Sequence, residues 1–136
     1  MSWEAIDVLR NKLTQAGVRV VQRDCSQRGL QGLYHPSRDT LVVCRSHRSQ
    51  AHVWDTFAHE ATYRMQRCIG SPISDRKHHR AMYSALARSH PAEVRSIRVY
   101  PRQQQLAELE ARYTAKLPPS DVLQLFDRYC GGEVRV

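Results

Sequence analysis

Residues 32–70, GLYHPSRDTLVVCRSHRSQAHVWDTFAHEATYRMQRCIG, contain the strongest structural signals of the chain. A Gly-Leu-Tyr step leads into a turn around Pro36, and residues 40–44, TLVVC, have the apolar and β-branched side chains typical of a strand. After a polar loop, residues 50–67 repeat apolar side chains at helical spacing, and Gly70 marks their end. This stretch therefore predicts a β-hairpin followed by a helix.

The residues before this stretch predict one helix and one strand. Apolar side chains recur at helical spacing after Ser2, a good N-cap, and Gly17 stands where a glycine commonly follows a helix. Residues 18–22, VRVVQ, are rich in β-branched side chains and predict a short strand. Residues 27–32 predict a turn, so the strand and the hairpin together form a small sheet.

The residues after Gly70 predict three more helices. These helices cover about residues 74–89, 101–117 and 120–129. Pro91 is expected to end the first of them, and residues 96–100, SIRVY, are predicted as a strand or an extended linker. The last helix follows a pair of prolines, with Ser120 or Asp121 as its expected N-cap.

Length and composition predict one soluble domain over residues 1–136. Hydrophobic residues make up 41% of the chain and charged residues 25%, which is ordinary for a globular protein. No apolar run approaches the ~18 residues that a membrane-spanning helix needs. The N-terminus has no uninterrupted apolar signal-peptide core. We therefore expect an intracellular, cytoplasmic protein without a membrane span.

The chain is basic, with 21 Lys and Arg residues against 13 Asp and Glu residues, and its net charge is +8. Such a field attracts anionic partners, whether acidic protein, nucleic acid or membrane surface. One dense cluster covers residues 45–48. The other contains Arg76, Lys77 and Arg80 at the start of a predicted helix, where positive charge opposes the helix dipole. We predict that this second cluster contacts an anionic partner.

Four cysteines, Cys25, Cys44, Cys68 and Cys130, are too far apart in sequence for a CxxC metal site. A domain of this length does not need disulfides for stability, so buried free thiols are expected. Cys44 and Cys68 flank the predicted motif helix and are the one candidate pair.

The predicted helix contains an incomplete zinc-binding motif. Zinc-peptidase helices carry histidines at positions i and i+4, and the glutamate after the first histidine acts as general base. His59 and Glu60 match the first two of these positions, but Tyr63 occupies the place of the second histidine.

The order of features over residues 32–68 resembles the mitochondrial intermembrane metallopeptidases that process an ATP-synthase subunit, and related bacterial zincin-like proteins. The resemblance implies an α+β domain with a minimal zincin-like core, in which a small antiparallel or mixed sheet packs against the motif helix and further helices follow. It also implies that the strand before the helix offers its edge to a peptide. The residues of that groove strand are Leu41, Val42, Val43 and Cys44.

A second similarity lies in residues 108–112, ELEAR. Zinc peptidases with a glutamate ligand often carry that ligand in the pattern E-x-x-A-D, and Arg112 stands here in place of the aspartate. The resemblance implies His59 and Glu108 as metal ligands, Tyr63 in the second-histidine place and Glu60 as general base. The alternative interpretation of Glu108 is a solvated carboxylate on a helix surface.

Tyrosine replaces a histidine ligand poorly, because a phenol must first lose a proton with a reference pKa of ~10. We therefore expect no cofactor, with the phenol of Tyr63 in the metal cavity, bonded to Glu60 or His59. Zinc is the implied cofactor if the site is active. The other histidines considered as ligands are His52, His78 and His79. His52 lies two helical turns before His59, which is too far along the helix axis to share a metal.

The sequence favours a catalytically inactive metallopeptidase-like protein that acts as a basic binding module for an acidic protein, or less favourably for nucleic acid. The alternative is an active zinc metallopeptidase that uses His59, Tyr63 and Glu108 as ligands and Glu60 as base. A third hypothesis is a nucleic-acid-binding module with an accidental motif match. Its phosphate contacts would be Arg76, Lys77, Arg80, Arg88, Arg95 and Arg98.

Overall fold

The structure is a computed structural model that describes residues 3–23, 32–44 and 49–131. Its elements are α1 (Trp3–Gln15), β1 (Arg19–Arg23), β2 (Gly32–His35), β3 (Thr40–Cys44), α2 (Gln50–Ile69), α3 (Arg76–Ser89), α4 (Pro91–Ile97), α5 (Arg102–Ala115) and α6 (Pro119–Phe126). A 3-10 turn, Pro36–Arg38, joins β2 to β3, and a π turn, Asp127–Gly131, follows α6. None of the helices in the described ranges is long and apolar enough to cross a bilayer. The predicted α+β class is confirmed.

Several predictions fall outside the described residues. They are the N-cap Ser2, Cys25, most of the turn at residues 27–32 and the basic cluster at residues 45–48.

The sheet is mixed, with strand order β1-β3-β2. β1 pairs with β3 in parallel and β2 pairs with β3 antiparallel, so the predicted hairpin is confirmed. β3 is the central strand, and the prediction that its edge is open to a peptide is wrong. A central strand buried on both faces has a continuous apolar sequence, which is the pattern of this strand. Its residues Leu41, Val42, Val43 and Cys44 are all buried.

Helix α2 lies at the centre of the molecule, in contact with α1, the sheet, α5 and α6. The Ser49 hydroxyl caps its first turn by accepting a hydrogen bond from the His52 backbone N–H. Gly70 ends it in the left-handed conformation, at a φ of 77°, which glycine adopts without steric cost. Phe57 and Met65 on its inner face are fully buried. The predicted helix is confirmed and extends two residues further.

Five helices follow the sheet rather than the predicted four, because residues 96–100 do not form a strand. Pro91 begins α4 instead of only ending α3, since proline suits the first turn of a helix, where no N–H is needed. Val94 and Ile97 are three residues apart and pack against Leu86 and Leu109 in a small second core.

The expected N-cap of α6 is also wrong. The helix begins at Pro119, one residue before Ser120, and no side chain caps it.

Cys68 forms a disulfide with Cys130, which joins the end of α2 to the turn after α6. Cys44 is also disulfide-bonded, and none of the described cysteines is free. The expectation of free thiols and the candidate pair Cys44–Cys68 are therefore both wrong. The physical reason is tertiary, because the C-terminal turn packs against α2 and brings Cys130 to its last turn.

Candidate functional site

Three of the predicted site residues meet between α2 and α5. His59 and Tyr63 are four residues apart and therefore share one face of α2. The Tyr63 hydroxyl donates a hydrogen bond to Oε1 of Glu108 on α5, and His59 Nε2 lies 3.5 Å from Oε2 of the same carboxylate. The rings of His59 and Tyr63 meet edge to face, with their centroids 5.3 Å apart. Glu108 is only 1% exposed, so its interpretation as a solvated carboxylate is wrong.

Arg112 completes this cluster from the next turn of α5. Its Nε donates to Oε2 of Glu108 at 2.8 Å, and its Nη2 donates to the Ser96 hydroxyl at 3.2 Å. Burial disfavours the charged guanidinium, but the hydrogen bond and the charge of Glu108 outweigh this effect and raise the pKa of Arg112. The result is an ion pair between a buried carboxylate and a half-buried guanidinium.

The carboxylate of Glu108 and the imidazole of His59 stabilise each other's charge. Burial would raise the pKa of Glu108, but its bonds to His59 and Arg112 lower it below its usual value. Burial would lower the pKa of His59, but the hydrogen bond to Glu108 and the charge of Glu60 raise it. Both shifts have the direction expected when opposite charges lie close together in a poorly hydrated place.

The pKa of Glu60 is raised, whereas that of Glu108 is lowered. The Glu60 side chain is buried, and desolvation is the main reason that its pKa rises to about 7, with the charge of Glu108 adding to the effect. The charge of His59 and a hydrogen bond from the Tyr34 backbone N–H work against this rise. Glu60 therefore changes protonation near neutral pH.

The expectation that Tyr63 bonds to Glu60 or His59 is wrong, because its phenol donates to Glu108 instead.

Gly32 allows β2 to approach α2 next to this cluster. A Cβ atom at this position would lie 2.5 Å from Cγ2 of Thr56 and 2.9 Å from the Val42 carbonyl oxygen. Both distances are too short for a side chain, so any residue larger than glycine would push the strand away. Glycine at residue 32 therefore keeps β2 close to Glu60.

A polar cavity of about 320 Å³ opens onto the cluster. Its lining residues are Gly32, Asp55, Thr56, His59, Glu60, Glu93, Tyr100, Glu108 and Arg112. The Lys116 ammonium bonds to Asp55 at 3.2 Å and to Glu93 at 2.8 Å, and Arg112 pairs with Glu108, so three of the cavity's four carboxylates already have a cation. The cavity can accept polar groups, and the pKa of Glu60 in its lining is close to neutral.

The donor groups do not fit a zinc ion in this arrangement. A catalytic zinc site directs three protein ligands at one point and leaves a fourth position for water. Here both oxygens of Glu108 are bonded, one to the Tyr63 hydroxyl and one to the Arg112 guanidinium. Among residues 3–23, 32–44 and 49–131, no group of three or more His, Cys, Asp or Glu side chains is arranged to hold a metal ion.

The other predicted site residues lie away from this cluster. His52 bonds to Ser49 at 2.9 Å and His78 bonds to Asp75 at 2.7 Å. Arg76, Lys77 and Arg80 are exposed on α3. The predicted groove strand, residues 41–44, is buried in the middle of the sheet.

The sequence did not predict a role for Glu110, which is fully buried two residues after Glu108. Its carboxylate accepts hydrogen bonds from the backbone N–H groups of Ile73 and Ser74, both at 2.9 Å, and from the Gln66 amide at 3.0 Å. His79 Nε2 lies 2.6 Å from the same carboxylate. Glu110 therefore holds the connection between α2 and α3 against α5.

One sequence signal could have identified this burial. Ala107, Ala111 and Ala115 recur every four residues and form a row of small side chains along α5. Such a row lets two helices approach closely, so the acidic side chains beside it are buried between the helices. Glu108 and Glu110 flank that row on either side.

Comparisons with protein-family models, with curated proteins and with solved structures find no match to this chain. The resemblance of residues 32–68 to zincin-like metallopeptidases therefore stays a prediction. What the structure adds is a hydrogen-bonded cluster of His59, Tyr63, Glu108 and Arg112 beside a polar cavity.

Proposed function

We propose that this protein is a catalytically inactive, zincin-like protein that binds an acidic protein partner. One observation supports the loss of the metal more than any other. Arg112 donates to Glu108 at 2.8 Å, on the carboxylate that the family resemblance assigns to the metal. The chain thereby supplies its own positive charge to a buried acid.

The physical argument rests on the cost of burying charge. An unpaired carboxylate inside a protein is strongly unfavourable, so it needs either a metal, a proton or a cationic side chain. The guanidinium of Arg112 meets this need for Glu108, and the Tyr63 hydroxyl bonds to the other oxygen. A zinc ion would have to displace Arg112 and the Tyr63 hydroxyl from Glu108. Beyond Glu108, it would gain only His59 and the Tyr63 oxygen as protein ligands.

The binding surface follows from the distribution of charge. Residues 75–98 contain six basic and two acidic residues, which gives +4 of the chain's net charge of +8. We define the α3–α4 basic face as Arg76, Lys77, Arg80, Arg88, Arg95 and Arg98, all of which are exposed. The two acids do not neutralise it, because Asp75 caps α3 and Glu93 bonds to Lys116.

Geometry favours contact with a carboxylate-rich segment. Arg76, Arg80 and Arg88 are separated by multiples of four residues and lie along one side of α3, over about 18 Å. Leu86 on the opposite side of α3 packs into the second core. This contact fixes the rotation of α3 about its axis, so the arginines stay on the exposed side. Arginine binds carboxylates through two parallel hydrogen bonds, which suits an acidic partner.

The same face lacks the rings that single-stranded nucleic acid stacks on. In residues 75–98, all of which the structure describes, the one aromatic side chain apart from histidine is Tyr83. It is half-buried, and its hydroxyl accepts a hydrogen bond from Arg98 at 2.7 Å. An acidic protein is therefore the preferred partner.

The metal part of the proposal is tested by measuring zinc in protein purified without chelator. We expect far less than one zinc per chain, and no heat of zinc binding in calorimetry. The variant Tyr63→His with Arg112→Ala restores a second histidine and frees Glu108, so it should bind zinc where wild type does not. About one zinc per wild-type chain, lost in His59→Ala, would overturn the proposal in favour of the active peptidase.

The partner part is tested by fluorescence anisotropy with a labelled poly-glutamate peptide of about 20 residues, a length that spans α3 if the peptide is extended. Charge reversal of Arg76, Arg80 and Arg88 to glutamate should abolish binding. The matched control reverses Arg19, Arg38 and Arg128, which changes the net charge equally at other exposed positions. Equal losses in both triple variants, or tighter and steeply salt-dependent binding to a random DNA duplex, would contradict the acidic-protein proposal.

A further inference from the structure

We propose that the outer face of the sheet is a binding site for a phosphate group. This face points away from α2 and is separate from the α3–α4 basic face. A concave site of about 130 Å³ lies on it, and its basic lining residues come from two strands and from the turn that joins β2 to β3.

The register of the sheet brings the polar lining residues together. Arg19 on β1 pairs with Thr40 on β3, and Thr40 pairs with His35 on β2, so the three form one row across the sheet. Side chains alternate between the two faces of a strand. Leu41 belongs to the main core, so its neighbour Thr40 is on the outer face.

Arg23, at the end of β1, also lines the site, and Arg38 adds a third guanidinium from the end of the 3-10 turn. Its backbone carbonyl accepts a hydrogen bond from the Thr40 hydroxyl at 3.0 Å, which holds the turn against β3. Val42 is 2% exposed and forms the apolar floor of the site. Arginine, histidine and threonine side chains therefore surround one small concavity above a rigid central strand.

No carboxylate among the described residues lines this site. The acid nearest in sequence, Asp39, is directed elsewhere by its left-handed backbone, at a φ of 46°. Its carboxylate accepts hydrogen bonds from the Tyr34 hydroxyl at 2.6 Å and from Arg64 at 3.2 Å. Arg19 on β1 and Arg38 in the turn place two positive charges beside one concavity, and such a field attracts an anion.

Phosphate suits this site better than a single carboxylate. It has close to two negative charges at neutral pH and three acceptor oxygens, enough for the guanidinium groups of Arg19 and Arg38 and the Thr40 or His35 side chain. The ligand is either free inorganic phosphate or a small phosphomonoester, and these two sources share the same recognition chemistry.

Isothermal titration calorimetry at constant ionic strength tests the proposal with sodium phosphate and with glucose phosphate. We expect wild type to bind with a dissociation constant of about 1 mM. The double variant Arg19→Gln with Arg38→Gln should weaken binding at least tenfold. The variant Arg19→Lys with Arg38→Lys keeps the charge but loses the paired hydrogen bonds, so it should bind with intermediate affinity. Tighter binding of glucose phosphate than of phosphate would identify the phosphomonoester as the ligand.

The matched control is Arg102→Gln with Arg128→Gln, which removes the same charge from a different surface. It should leave the phosphate affinity unchanged. The proposal is overturned if wild type binds neither compound, or if the control loses as much affinity as the sheet variant. Circular dichroism checks that each variant is folded, and all substituted side chains are exposed.

Discussion

Two buried glutamates stand two residues apart on α5, and their surroundings differ completely. Glu110 bonds to two backbone N–H groups, an amide and an imidazole, and these contacts tie the α2–α3 connection to α5. Glu108 bonds to a phenol and a guanidinium, and it borders a polar cavity. Burial of an acid is common to both, so burial alone does not distinguish a site from a structural contact.

The difference lies in what stabilises each negative charge. Donors around Glu110 belong to the backbone and to packed side chains, and they cannot leave without disturbing the fold. Arg112 stabilises Glu108, and it is itself 16% exposed and close to solvent. The surroundings of Glu108 can therefore be changed by substitution while the fold is kept. The predictions below use this contrast.

The largest effect is expected for Glu110→Ala. The substitution leaves the N–H groups of Ile73 and Ser74 without their partner in a buried place. We expect the free energy of unfolding to fall by about 4 kcal/mol, because several buried groups lose their hydrogen bonds together. Urea denaturation measures the change, with Gln103→Ala on the exposed side of α5 as control. A loss below about 1 kcal/mol would show that Glu110 is not a structural contact.

The next effect is expected for Arg112→Ala, which leaves Glu108 buried without its cation. We expect a loss of about 2–3 kcal/mol in the free energy of unfolding. Adding Glu108→Gln should recover most of this loss, because the neutral amide does not need a counter-charge. A double-mutant cycle by urea denaturation gives the coupling, and strictly additive losses would contradict the ion pair.

A smaller effect is expected for Tyr63→Phe, which removes only the hydroxyl that bonds to Glu108. The free energy of unfolding should fall by about 1 kcal/mol, the usual net contribution of one hydrogen bond. Tyr113→Phe on α5 is the matched control. Similar losses in the two variants would mean that the phenol of Tyr63 contributes nothing specific.

A further effect concerns the pH dependence of stability. The pKa of Glu60 is about 7 in the folded protein, against 4.5 for an unperturbed side chain. The folded state therefore keeps a proton that the unfolded state has released, and stability falls as the pH rises from 4.5 to 7. Glu60→Gln removes this dependence, so it should be more stable relative to wild type at pH 8 than at pH 5, by about 2 kcal/mol. An unchanged difference between pH 5 and pH 8 would contradict the raised pKa.

Local sequence patterns predicted most of the elements and few of their contacts. The hairpin and α2 follow from turn residues, side-chain periodicity and Gly70, which act over a few residues. The central place of β3 depends on its pairing with β1, about twenty residues earlier, and no local pattern contains that information. Pro91 was interpreted as the end of a helix although proline also begins helices, so α4 was missed.

Local patterns likewise predicted the residues of the candidate site but not all of their contacts. The helix motif and the ELEAR segment selected His59, Tyr63 and Glu108, and α2 and α5 bring these side chains together. Arg112 was noted as a departure from the pattern, but its contact with Glu108 depends on side-chain rotamers. The predicted partners of the Tyr63 hydroxyl are Glu60 or His59, its neighbours in sequence, whereas its partner in space is Glu108.

The bond between Cys68 and Cys130 spans 62 residues of sequence and encloses every helix from α3 to α6. A protease that cuts the chain once between these helices would therefore not release a fragment. The cleaved protein would migrate as one species in a denaturing gel until a reductant separated it into two. This behaviour gives a direct measurement of whether the bond is present in protein taken from cells.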